Sequence, residues 1–121
     1  MQAGATVIEA LPRVGRLEVD IRVAADVNIS AYAARQKVND FVLHDVSYMM
    51  HAGDATLVLS DRVYWRVPII LSLTSRGDVG EVGTIDVDVE TGQMLVTPQM
   101  LEEINARAEG LARSPVSIAT P

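Results

Sequence analysis

The stretch VYWRVPIILSLTSRGDVGEVGTIDVDVETGQMLV, residues 63–96, decides the fold class. In its first part Val63, Trp65, Val67, Ile69, Leu71 and Leu73 alternate with Tyr64, Arg66, Pro68, Ile70, Ser72 and Thr74. Successive side chains of a strand point to opposite faces, so a period of two predicts a strand with one buried face. Pro68 has no N–H to give a ladder, which predicts an edge or a bulge there. Residues 84–89 alternate again, with Ile85, Val87 and Val89 inward and Asp86, Asp88 and Glu90 outward. Between them Gly77, Gly80 and Gly83 read as a twisted hairpin loop. Glu90-Thr91-Gly92 suits a tight hairpin with Gly92 at positive φ, returning through residues 93–96.

Outward from this stretch, residues 56–59 are apolar and β-prone, and Ser60, Asp61 and Arg62 form a polar turn into Val63. Ser30 is a helix N-cap, and Ala34, Val38, Phe41, Val42, Val46 and Met49 recur at helical steps. That spacing predicts a helix to about Met50, ended by Gly53 in a left-handed conformation. Residues 16–23, RLEVDIRV, set Leu17, Val19, Ile21 and Val23 against Arg16, Glu18, Asp20 and Arg22, which predicts a further strand. Downstream, Thr97-Pro98 starts a helix with Leu101, Ile104, Ala108 and Leu111 as its packing stripe. Residues 1–15 read as a flexible arm and 114–121 as a disordered tail, leaving one domain over 16–113. The expected fold is α+β: an antiparallel β-sheet of four or five strands with two helices packed against it.

Length and composition narrow the function classes. A chain of 121 residues is long enough to bury roughly two-thirds of its unfolded surface in one core. It has no cysteine, which removes disulfides, thiolate chemistry and cysteine-ligated zinc. No window supplies the roughly 20 uninterrupted apolar residues of a membrane span, and no secretory signal is visible, so a cytoplasmic location without membrane partners is expected. Of the net charge of −6, all the excess lies beyond residue 40, where five basic residues face eleven acidic ones. A phosphate backbone would be repelled there, so nucleic acid is not an expected partner.

The sharpest chemical cluster is Asp86, Asp88 and Glu90, on one strand face at steps of about 7 Å. A single Ca²⁺ or Mg²⁺ needs oxygens at roughly 2.0–2.6 Å, so the row reads as a solvated face paired with Arg62 and Arg66 on the neighbouring strand. His44 and His51 lie about 10 Å apart on the expected helix, too far for one metal. Ser47 near Asp45 and His51 lacks the oxyanion donors of a nucleophile. The glycines of the loop lead into a strand, whereas phosphate-binding loops lead into a helix N-terminus. No catalytic residue, metal ligand or cofactor is expected. Trp65 reads as core, while Tyr64 and Ile70 on the opposite face read as partner contacts. With Arg66 and the charged positions Arg16, Glu18, Asp20 and Arg22 they make up the candidate partner-binding set.

Tyr64-Trp65-Arg66-Val67, then Ile85 through the Glu90-Thr91-Gly92 turn, preceded by the helix at residues 30–50, resembles a PepSY-type module. The resemblance covers residues 30–96 and implies a helix on a small antiparallel sheet. It also implies a non-catalytic inhibitory or regulatory binding role, mostly in secreted or membrane-attached proteins. The strand at 16–23 and the capped C-terminal helix depart from that pattern. The leading expectation is a small protein-binding or regulatory module, with a homodimer joined through residues 16–23 or the Tyr64/Ile70 face. The alternatives are an antitoxin-like partner of a bacterial toxin, and a small-ligand or metal-binding enzyme using the Asp86/Asp88/Glu90 row.

Overall fold

A computed structural model describes residues 14–113. The elements run α1 (Ala31–Asp45), β1 (Met50–Ala52), β2 (Thr56–Leu59), β3 (Val63–Leu73), β4 (Gly77–Asp88), β5 (Met94–Leu95) and α2 (Pro98–Arg113). The five strands form one antiparallel sheet, and the two helices pack on one of its faces, an α+β arrangement. No helix of the described residues is long and apolar enough to cross a membrane.

β3 is the axis of the sheet. Along one side it pairs with β4 over nearly its whole length, and β5 pairs with the far side of β4. Its other side is shared: β2 pairs with residues 63–66 and β1 with residues 69–71. The break between them falls at Pro68, whose carbonyl accepts a hydrogen bond from Gly53 N at 2.8 Å. In an antiparallel ladder a residue's N–H and C=O point to the same side, so the missing proline donor faces this gap and costs β4 nothing.

Between Ile69, opposite Gly83, and Ile70, opposite Glu81, β4 carries Val82 as an extra residue. This bulge shifts the parity of β4, so Gly80 and Gly83 both turn towards α2 despite their odd separation. A Cβ on Gly83 would lie 2.7 Å from Ile104 Cγ1, and one on Gly80 would lie 3.2 Å from Leu111 Cδ1. The two glycines form the seat of α2. They are therefore strand residues and not the hairpin loop that their spacing suggested; the turn itself is residues 74–76, followed by Gly77 at φ +70°.

The core joins Val67, Ile69 and Leu71 of β3 and Ile85 and Val87 of β4 to both helices. α1 contributes Ala34, Val38 and Val42, and α2 contributes Ile104 and Ala108. Each fully buried branched side chain among them contributes about 1.5–3 kcal/mol of transfer free energy. Local chemistry fixes the helix starts as expected. Ser30 Oγ accepts from Ala33 N at 3.0 Å, and Thr97 Oγ1 from Met100 N at 3.2 Å.

Two further expectations are corrected. α1 ends at Asp45 and does not reach Met50. Val46 N and Ser47 N both donate to Val42 O, and Ser47 Oγ takes Met49 N, which turns the chain into β1. Gly53 consequently caps no helix, and it is not among the positive-φ glycines. Residues 16–23, expected to be a strand, are in no regular element and enter no strand pairing among the described residues. β3 pairs with β4 on one side and with β1 and β2 on the other, so among the described residues the alternating segment lies beside the sheet and not in its ladder. The expected arm at 1–15 falls mostly, and the tail at 114–121 wholly, outside the described residues.

Candidate functional site

Among the described residues, the segment that precedes α1 is fastened at its α1 end. Trp65 Nε1 donates to Ile29 O at 2.8 Å, Asn28 N to Val89 O at 2.8 Å, and Asn28 Nδ2 to Glu90 O at 3.1 Å. Asp26 N donates to Glu90 Oε2 at 2.9 Å. Trp65 is thus half-buried, as clamp as much as core, because its indole N–H needs a partner and the chain entering α1 supplies one. Upstream of Asp26 the segment runs past β2, and Ile21, Val23 and Val27 line a shallow apolar groove with Leu57, Leu59 and Val63.

Here the strand pattern has no partner to satisfy it. Leu17, Val19, Ile21 and Val23 are 50%, 49%, 40% and 45% exposed, and Leu57 beside them is 46% exposed. Arg16, Glu18, Asp20 and Arg22 are exposed too, with an ion pair of 3.1 Å between Arg16 and Glu18. Apolar and charged side chains therefore alternate along an exposed segment that joins no strand among the described residues. Isolated apolar side chains at a surface are ordinary, whereas here four lie at alternate positions of one short segment.

The acidic row is engaged elsewhere. Asp86 accepts both Nε and Nη2 of Arg66 at 2.9 Å, a two-pronged carboxylate–guanidinium pair. Asp88, expected to be solvated, is only 5% exposed. It accepts Arg62 Nε, Glu90 N at 2.8 Å and Thr91 N at 3.1 Å, so it builds the turn from β4 into β5. The Arg62 guanidinium and these backbone donors lower its pKa to about 2 despite burial, and Asp88 in turn raises that of Arg62. Among the described residues no group of three or more His, Asp or Glu side chains is placed to hold a metal ion.

The sheet face away from the helices also differs from expectation. Tyr64 is buried, and its hydroxyl donates to Asp61 Oδ1 at 3.2 Å, so it offers no exposed contact. Ile70 is half-buried with its Cδ1 against Gly53, and Arg66 is held by Asp86. His51 lies on β1 opposite Ile70, not on the helix with His44, whose Nδ1 meets Asp40 O.

The structure brings Ser72, His51 and Asp78 together, a cluster the sequence reading missed because β1 was read as helix. Ser72 Oγ lies 3.3 Å from His51 Nδ1 and donates to Asp78 Oδ1. Its proton is thus held by the carboxylate and not by the imidazole, the reverse of the order that activates a nucleophile.

A cleft of about 420 Å³ opens between the α1–β1 turn and α2, lined by Val46, Met49, Met50, Leu71, Leu73 and Ala108 among others. Its walls are mainly apolar, with Ser47, Asn105 and Glu109 as the polar side chains of the lining. No family model matches the chain, and no curated protein or solved structure matches it significantly.

Proposed function

We propose that this protein is a small non-catalytic binding or regulatory module that acts through protein–protein contacts. The observation that carries this reading is the unpaired segment 16–23, whose alternating apolar side chains stand 40–50% exposed beside an exposed Leu57 among the described residues. The engagement of Asp86, Asp88 and Glu90 by Arg66 and Arg62 supports it further, since carboxylates tied up in ion pairs are poor metal ligands or acid–base groups. A helix ahead of an antiparallel sheet, with Tyr64-Trp65-Arg66-Val67 in its central strand and Gly92 at φ +77° in its turn, suits a PepSY-like module.

The test compares wild-type protein with a Leu17→Ser/Val19→Ser/Ile21→Ser variant. Light scattering over a wide concentration range is combined with affinity capture from native lysate. Association or capture that depends on the three apolar residues is the expected result. Wild-type protein that stays monomeric and retains nothing the variant loses would refute the reading.

A further inference from the structure

We infer that residues 16–26 form an antiparallel strand pair with the same residues of a second copy, centred on Ile21. This rests on the protein-contact reading and names its partner. Residues 16–23 lie outside the sheet and enter no strand pairing among the described residues, while their sequence alternates as a strand's does, so the segment can offer a ladder to another strand. The partner is selected by the side chains. An antiparallel pairing must set apolar against apolar, and each such register has a two-fold axis on one residue.

Centred on Val19, the pairing opposes Arg16 to Arg22 and Glu18 to Asp20, all like charges. A centre at Asp20 sets that carboxylate against its own copy, and one at Arg22 does the same for the guanidinium while opposing Glu18 to Asp26. Centred on Ile21, Asp20 faces Arg22 and Arg16 faces Asp26, each pair occurring twice, with no like-charged pair anywhere. Val19 then faces Val23, Leu17 faces Ala25, and Ile21 faces Ile21. The joined apolar faces continue into the groove along Leu57 and Leu59. Registers centred further towards the N-terminus run into Gly15, whose φ of +105° is not a strand conformation.

Because the chain has no cysteine, single substitutions report the register directly. Directly opposite residues of an antiparallel pair have Cα atoms about 4.5–5.5 Å apart, inside the window of about 4.4–6.8 Å for a disulfide. Ile21→Cys should therefore cross-link to its own copy under mild oxidation. Val19→Cys alone should not, its copies being about 13 Å apart along the strand, while a mixture of Val19→Cys and Val23→Cys should cross-link to each other. Asp20→Arg and Arg22→Asp should each weaken the dimer about tenfold or more in sedimentation equilibrium, and mixing the two variants should restore it. A dimer that cross-links through Val19→Cys alone, or ignores the charge reversals, overturns this register and leaves the protein-contact reading standing. A strict monomer at every concentration overturns the pairing altogether, and the wider reading is then decided by whether capture from lysate depends on Leu17, Val19 and Ile21.

Discussion

The contact of Gly83 with Ile104 makes a sharp prediction about how α2 is held. A Cβ at Gly83 would sit 2.7 Å from Ile104 Cγ1 and 3.2 Å from Cδ1, whereas carbon atoms pack best at about 3.5–4.0 Å. The obstructing Cγ1 belongs to a β-branched side chain that is stiff about χ1 and only 4% exposed, so it cannot swing into solvent. Gly83→Ala must therefore push the helix away by about 1 Å. Overpacking of this kind costs about 1–3 kcal/mol, and the lower entropy of the unfolded alanine chain offsets about 0.4–1 of that. A net loss of about 1–2 kcal/mol should lower the urea midpoint by about 0.5–1 M. In an Ile104→Ala background the obstructing atoms are gone, and the same substitution should cost close to nothing. Gly110→Ala is the control: it lies in α2, its added Cβ meets nothing within 4 Å, and it should gain about 0.5–1 kcal/mol. An unchanged midpoint in Gly83→Ala, or the same loss with and without Ile104, would refute the seating of α2 on β4.

Two further predictions concern the clamp and the turn. Asp88 has a folded pKa of about 2, below its unfolded value, so its stabilisation is present above about pH 4 and is lost as pH falls towards 2. Asp88→Asn should cost about 1–2 kcal/mol at neutral pH, discounted for the solvent around Arg62, and the wild-type and variant stability curves should converge between about pH 5 and 2; a constant gap would show that the charge is not the cause. Trp65→Phe keeps an aromatic ring, though a smaller one, and loses the bond to Ile29 O, so amide exchange at Asp26 and Asn28 should quicken, while Trp65→Ala should cost about 2–3 kcal/mol, less than a fully buried tryptophan. Unaltered exchange in Trp65→Phe would mean the indole does not hold the entering chain.

The parts of the fold that local chemistry dictates were legible in the sequence. The period of two in β3, the Glu90-Thr91-Gly92 turn and the Thr97-Pro98 cap each act within a few residues, and each is where the pattern placed it. The misreadings share a cause, dependence on distant partners. Val46 and Met49 fit a helical stripe that was expected to run to about Met50, and only the pairing of Met50 with Leu71 makes the end of that run β1. Gly80 and Gly83 looked like a loop because their purpose, a seat for Ile104 and Leu111, lies in another element. Asp88 was read as wet because its burial depends on Arg62 folding across the turn. The Ser72, His51 and Asp78 cluster could not be seen at all until β1 was a strand.

Segment 16–23 stands apart, since its pattern is a strand's and it enters no strand pairing among the described residues. Burying the exposed half of Leu17, Val19, Ile21 and Val23 on two copies would yield on the order of 6–12 kcal/mol. Association itself costs about 4–15 kcal/mol. The two are of similar size, so apolar burial alone cannot make a permanent dimer, and the balance falls to the ladder and to the Asp20–Arg22 and Arg16–Asp26 pairs. An interaction poised in this way responds to concentration and to a change of one charge. That behaviour would suit the proposed regulatory module, since in the proposed pairing the charged residues beside the apolar strip favour one register and oppose its neighbours.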